Sequence, residues 1–305
     1  MNRIRRALAR TPATNRLRRL AAAVVLALLV VLVLAGTAFA DAISPESGGS
    51  ANADEIDSLY KLILAVAVII FIGVEGALLY SMVKFRARKG AVPAQIRGNT
   101  RLEVGWTVGA ALILVVLAAF TFTKLSAIRN PPNSGAKGFQ LADGVLVAAG
   151  PTKRLPPNGK SLNVCVNGQQ YIWRYTFAND CNNAPLDSVF SYQELVVPVD
   201  TTVTLDINAQ DVAHSWWIPK LGGKFDAIPG YTNHTWFKIE AKNVNKVFTG
   251  QCAELCGRNH ANMIAQVKAV TPSEFEAWVQ QRKADVKAAD DAAAQERKQV
   301  EQTVP

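Results

Sequence analysis

The stretch G250-Q-C-A-E-L-C-G-R-N-H-A-N-M263 places two cysteines, a histidine and a methionine on one short segment. Cys252 and Cys256 are four residues apart, His260 follows four later, and Met263 three after that. Thiolate, imidazole and thioether together form the donor set that soft copper prefers over hard cations. His214, in D211-V-A-H-S-W-W217, adds a second imidazole. Two thiolates, two imidazoles and one thioether exceed what a single blue-copper ion takes, and they suit two copper ions bridged by the two sulfurs. A Cys-x3-Cys pair alone reads as a disulfide or as part of a structural zinc site. Neither accounts for a methionine at a fixed offset, nor for His260 and His214 in a chain with only three His and three Met. His234, in T232-N-H-T-W236, falls outside the pattern and is read as a surface histidine.

These motifs resemble those of subunit II of haem–copper cytochrome c oxidases, whose binuclear copper centre is called CuA. The resemblance runs from about Leu59 to Val270. It implies that Cys252 and Cys256 bridge two copper ions and that His214 and His260 cap them. Met263 and the backbone carbonyl of Glu254 would be weak axial ligands, and the Glu254 side chain would face a magnesium or manganese ion shared with subunit I. The implied activity is that of subunit II of an aa3-type-like cytochrome c oxidase. Electrons from cytochrome c pass to haem in subunit I, where oxygen is reduced to water with coupled proton translocation. A CuA-bearing subunit of a nitric oxide reductase is the alternative. A quinol oxidase subunit II would lack the copper ligands. The chain has no oxygen-reducing site of its own, since neither of its apolar spans carries a histidine.

G168-Q-Q-Y-I-W-R-Y175 resembles an aromatic strand in which the family often has a Trp that receives electrons from cytochrome c. Here Tyr171 takes that place, with Trp173 two residues later on the same face. Between Lys137 and Val270 there are 12 Lys/Arg against 10 Asp/Glu, so no overall acidic field steers a basic cytochrome c. A cytochrome c that is membrane-anchored or held in a supercomplex needs less steering than a soluble one.

Three apolar runs dominate the first 125 residues. Leu20–Ala40 follows an arginine-rich tail and ends in A38-F-A40, so residues 1–40 read as a signal peptide, an uncleaved anchor being the alternative. Residues 41–58 carry Asp41, Glu46, Asp54, Glu55 and Asp57 with no base, and they read as a flexible extracytoplasmic leader. Leu59–Val83 and Val104–Thr123 are each long enough to cross a bilayer, giving a transmembrane hairpin over 59–125. The link from Lys84 to Arg101 has six bases and no acid, which puts it in the cytoplasm and both flanks outside, on a cell membrane. The net charge of +9 is therefore a topology signal and requires no nucleic-acid partner. Glu75 lies inside the first span, where an ionisable group must face protein or water. Glu103 opens the second span, in L102-E-V-G-W-T107. That stretch resembles the family's second-helix start, where a glutamate marks the mouth of a proton path into subunit I; a charge favoured by the helix dipole is the plainer reading.

From about Pro131 the pattern turns to short β-rich stretches separated by Pro, Gly, Asn and Asp. Candidate strands are Val145–Ala149, Ser161–Val166, Gln169–Phe177, Ser191–Val197, Thr202–Ile207, Ser215–Pro219, Thr235–Ile239 and Ile264–Val270. Many short strands suggest a Greek-key sandwich or barrel. The resemblance sharpens this to a cupredoxin-like CuA domain over 131–270. Trp216 and Trp217 are candidates for shielding the metal pair or for the core. Cys165 and Cys181 lie outside the metal motif and are a candidate disulfide, with two buried thiols as the alternative. T271-P-S-E274 is a capping box with Pro at the first helical position, so 271–305 reads as a helical tail.

Overall fold

In the computed structural model the described residues are 44–303, apart from 87–89, 91, 93, 137–154, 179, 183, 185 and 186. The chain divides into two units, Met1–Pro45 and Glu46–Pro305, and the elements below belong to the second. The signal segment 1–40 and the candidate strand Val145–Ala149 lie outside the described residues.

Two helices come first, α1 (Ala51–Lys84) and α2 (Thr100–Arg129). At about 1.5 Å per residue each is roughly 45–50 Å long, more than the ~30 Å of a bilayer's hydrocarbon core. Their apolar side chains, among them Ile69, Phe71, Leu114 and Phe122, point outward and are exposed, the pattern a membrane would cover. The two helices pack along a seam where Lys124 meets Glu55 at 2.6 Å. At the start of α2, Asn99 Oδ1 accepts from the Leu102 amide, and the Asn99 amide donates to Glu103 Oε1. Glu103 thus closes a reciprocal cap on the helix end.

α1 begins eight residues before the apolar run, so 51–58 is helical where composition suggested a flexible leader. The reason is tertiary. Asn52, Ala53 and Asp57 are buried against the β domain. Asn52 Nδ2 donates to the Trp236 carbonyl at 2.8 Å, and the Lys238 amide donates to Ser50 Oγ at 3.0 Å. Trp236 Nε1 in turn donates to the Ile128 carbonyl of α2. Both helix ends are therefore fastened to the same strand.

Among the described residues ten strands follow: β1 (Leu162–Gln169), β2 (Ile172–Thr176), β3 (Phe190–Tyr192), β4 (Glu194–Pro198), β5 (Thr202–Ala209), β6 (His214–Trp216), β7 (Phe225–Ala227), β8 (Asn233–Lys238), β9 (Val247–Gln251) and β10 (Ile264–Val270). One sheet has the order β3-β2-β1-β5-β8, a second β4-β10-β9, and β6 pairs with β7. β1 runs parallel to β5, and β4 parallel to β10, so the chain crosses from one sheet to the other and back through β4. The core between the sheets is built from alternate residues: Val164 and Val166, Trp173 and Tyr175, Leu205 and Ile207, Ala265 and Val267, all at most 1% exposed.

The stretch 191–197 is not one strand. It breaks at Gln193, whose φ of 62° lets the chain leave one sheet at β3 and join the other at β4. The expected strand over Ser215–Pro219 stops at Trp216, because Pro219 opens a 3-10 turn through Leu221. β7 and β9 were not legible: β7 is only three residues long, and V247-F-T-G-Q251 does not alternate apolar with polar residues.

Cys165 on β1 and Cys181 are joined in a disulfide across a separation of 16 residues. Closing a loop of that length removes enough unfolded-chain freedom to stabilise the fold by about 3 kcal/mol. The paired Cys165→Ala/Cys181→Ala variant should therefore melt several degrees lower than the parent in detergent micelles. An unchanged melting curve would remove the staple role. Beyond β10, α3 (Pro272–Thr303) starts with the reciprocal cap of Thr271 and Glu274. Its Phe275 and Trp278 pack on Phe177, with ring centres 5.8 and 5.4 Å away.

Candidate metal centre

The ligand candidates come together at one end of the sandwich from two segments far apart in sequence. His214 is the first residue of β6. Cys252, Cys256, His260 and Met263 lie on the connection from β9 to β10. Backbone bonds pin that connection: the Cys252 amide donates to the Met263 carbonyl at 2.8 Å, and the Ala253 amide to the Ser215 carbonyl at 2.9 Å.

The two sulfurs are 4.0 Å apart and unbonded, so the disulfide reading of this pair does not apply. Cys252 Sγ is 3.8 Å from His214 Nδ1 and 3.2 Å from the Glu254 carbonyl oxygen. Cys256 Sγ is 3.6 Å from His260 Nδ1 and 3.9 Å from Met263 Sδ. His214, Cys252 and Cys256 present donor atoms that all lie within 4.8 Å of one another. Cys252, Cys256, Met263 and His214 are buried, whereas His260 keeps an exposed edge. Burial and the neighbouring Cys252 push the Cys256 thiol up to about 11. A cation between the sulfurs would reverse that, because a coordinated thiol loses its proton. Two free thiols, two imidazoles and a thioether sharing one buried space fit a soft-metal centre.

Asp211, three residues before His214, is a participant that the sequence reading passed over. Its Oδ1 lies 2.9 Å from His214 Nε2. A carboxylate only accepts, so this contact places the proton on Nε2 and leaves the Nδ1 lone pair facing Cys252. Burial works to raise the Asp211 carboxyl, but the bonds from His214 and from the Gln170 and Val212 amides hold it below the usual range. Gln170 ties the arrangement together, its amide on Asp211 and its side chain donating to the Cys256 carbonyl at 2.6 Å. The D-x-x-H spacing was the available signal for Asp211. Nothing local marked Gln170. Asp211→Ala should weaken copper retention about 10- to 100-fold, the usual effect of losing a partner that orients a ligand. An unchanged rate of copper loss to a chelator would show that His214 needs no such support.

The aromatic candidates separate. Trp173 is fully buried, its ring centre 5.9 Å from that of His214. Tyr171 is half-buried in the β1–β2 turn, and its hydroxyl lies over Gly257, where a Cβ would meet it at 2.6 Å. Of the two, only Tyr171 has an edge toward solvent. Trp216 is a core residue that donates to the Tyr175 hydroxyl and stacks on Phe237, while Trp217 is half-exposed beneath Lys224. The Glu254 side chain is exposed. His234 is not a plain surface residue: its Nδ1 lies 2.7 Å from Asp206 Oδ1 on the neighbouring strand.

A β-sandwich behind two membrane-crossing helices, with a buried His–Cys–Cys group at its open end, defines a membrane-anchored cupredoxin-like protein with an extracytoplasmic domain. Residues 35–124 match the family described as cytochrome C oxidase subunit II, transmembrane domain, and residues 179–270 match cytochrome C oxidase subunit II, periplasmic domain. The chain belongs to the cytochrome c oxidase subunit II family. It is 30% identical over 256 residues to cytochrome c oxidase subunit 2 of Cereibacter sphaeroides, covering 81% of this chain and 80% of that one. It is 32% identical over 244 residues to cytochrome c oxidase subunit 2 of Alkalihalophilus pseudofirmus, covering 79% of this chain and 63% of the relative's own length. Among solved structures, the periplasmic domain of subunit II of cytochrome oxidase from Bradyrhizobium japonicum is similar, with 31% identity and a TM-score of 0.36. That likeness covers 41% of this chain and 95% of that one.

Proposed function

We propose that this chain is the electron-accepting subunit of an aa3-type-like cytochrome c oxidase in the cell membrane, with its β domain on the outer side. It takes electrons from cytochrome c and hands them to haem in subunit I, where oxygen is reduced to water with coupled proton translocation. The observation that carries this reading is the meeting of two free buried thiols with two imidazoles and a thioether. Cys252 and Cys256 would bridge two copper ions, His214 and His260 would cap them, and Met263 and the Glu254 carbonyl would be weak axial ligands. When bound, such a pair supplies one-electron redox chemistry with the charge spread over both ions.

The rest is the work of the protein. Asp211 holds the Nε2 proton of His214 and fixes its ring. Met263 and Trp173, neither of them accessible to solvent, keep water away from the buried sulfurs. Tyr171 offers the aromatic edge toward the donor. The exposed Glu254 side chain is available to a magnesium or manganese ion shared with subunit I. Glu103, which caps α2 at the cytoplasmic side, is the proton-path candidate.

Electron paramagnetic resonance on the full chain, loaded with copper in detergent, tests the reading. One unpaired electron shared equally by two copper nuclei of spin 3/2 gives a seven-line pattern, with two coppers per chain by metal analysis. A four-line spectrum, or no bound copper in a folded chain with reduced Cys252 and Cys256, would overturn it.

A further inference from the structure

The outer face of the five-stranded sheet carries a second constellation, outside the sulfur cluster. Arg174 on β2 stands in register with Tyr192 on β3 and Asn167 on β1, and Asn167 with Asn208 on β5. In-register residues on neighbouring strands share a face, so these four form one row across the sheet. Asn167 Nδ2 donates to Asn208 Oδ1 at 2.7 Å, and Gln169 Nε2 donates to Asn167 Oδ1 at 3.1 Å, which locks the carboxamides. Arg174 and these amides line a cleft of about 460 Å³.

Arg174 is the unusual member. Its guanidinium carbon lies 4.7 Å from the centre of the Phe190 ring. Its Nε is shut off from solvent and makes no hydrogen bond, and among the described residues no carboxylate pairs with it. Two acids close to this row in the sheet are already engaged: Asp206, on the adjoining row, with His234, and Asp211, just past β5, with His214. The two terminal nitrogens of a planar guanidinium, which are not shut off as Nε is, can take a carboxylate through two parallel bonds. Beside it Tyr192 is 48% exposed and meets Phe190 edge-on at 5.7 Å. Arginine and tyrosine together are the side chains that dominate protein–protein contacts.

The location indicates the partner. Arg174 shares its cleft with Gln169 and Gln210, the chain neighbours of Gln170 and Asp211 at the sulfur end of the sandwich. The turn holding Tyr171 also carries Gln170, which bonds Cys256. A protein anchored on Arg174 would therefore sit beside the turn that holds Tyr171 and Gln170. The outer domain, with 12 Lys/Arg against 10 Asp/Glu, has no acidic excess to attract a basic surface.

We propose that Arg174, flanked by Tyr192 and Phe190, is a docking anchor that receives an acidic side chain of the electron-donating protein. The inference rests on the electron-accepting role proposed above.

The test uses the whole oxidase in membranes, with Arg174 intact or replaced as Arg174→Gln, Arg174→Glu and Arg174→Lys. Two soluble c-type cytochromes serve as donors, one with an acidic surface and one with a basic surface. For the acidic cytochrome, Arg174→Gln should raise KM about tenfold, the loss expected for one charge-assisted contact. Arg174→Glu should raise it further, and Arg174→Lys should restore part of it, the effect falling on KM rather than kcat. The basic cytochrome should show no rise. Equal changes with both cytochromes, no change with the acidic one, or failure of the parent to oxidise the acidic one would overturn the proposal. So would succinate competing in an Arg174-dependent way while cytochrome KM stays fixed, because the cleft would then serve small carboxylates. Turnover driven by ascorbate with a small redox mediator bypasses docking. If that turnover fails in the copper-loaded parent, the electron-accepting role itself falls, and this proposal with it.

Discussion

Replacing Cys256 with serine is expected to abolish the paired-copper signal and to lower copper affinity by at least ~100-fold. The bound follows from comparison: even partners that only orient a ligand are worth about 10- to 100-fold, and Cys256 is placed to be a ligand itself. Its sulfur is the hub of the site, within 4.0 Å of Cys252 Sγ, His260 Nδ1 and Met263 Sδ. A hydroxyl is a hard, weak donor that does not replace a bridging thiolate for a soft metal. The substitution also buries a hydroxyl among sulfur atoms, where a missing hydrogen bond costs about 1–3 kcal/mol. The two effects separate experimentally. Copper per chain and the spectrum report the ligand loss, and the melting curve of the copper-free chain reports the packing loss. A Cys256→Ser protein that keeps two coppers and a seven-line spectrum would show that this thiol is no bridge.

The second large effect is expected at a residue with no side chain. A Cβ built on Gly250 would sit 1.9 Å from the Trp217 carbonyl oxygen and 2.7 Å from the Ile218 Cα. Both are backbone atoms, so no rotamer change can make room. The approach is this close because the Gln251 amide donates to the same Trp217 carbonyl, stitching the end of β9 to the segment that follows β6. Those two segments carry Cys252 and His214. Gly250→Ala should therefore destabilise the domain by about 3 kcal/mol or more, at the upper end of overpacking effects. It should also weaken copper binding by moving the ligand segments apart. Gly159→Ala provides the contrast. There φ is +69° with open space around the added methyl, so only the backbone preference of about 1–2 kcal/mol opposes it. Thermal unfolding of the two variants should rank them in that order. Equal shifts would mean that the β9 contact yields more easily than its backbone geometry implies.

Much of the site was legible because metal ligands are identified by atom type and spacing. Cys252, Cys256, His260 and Met263 lie within 12 residues, and a loop of that length brings its own donors together whatever fold supports it. The two spans and their direction were legible for a similar reason: membrane insertion responds to summed hydropathy and flanking charge, both additive along the chain. The start of α1 was not, since Asn52 and Asp57 look like leader residues until the β domain covers them. Nor was the break at Gln193, where competition between two sheets for one segment decides the backbone.

The sequence by itself pointed to the candidate donor set, the membrane anchor and its direction, because each depends on local chemistry. Tertiary structure alone decided which His214 nitrogen faces Cys252 across 38 residues, and which side chain reaches Cys256 from 86 residues away. It also decided that, among the described residues, Arg174 would stand without a carboxylate. Those outcomes follow from strand pairing, β1 alongside β5 and β10 between β4 and β9. Pairing is selected by the burial of whole sheet faces, a cooperative quantity that no short stretch of sequence contains.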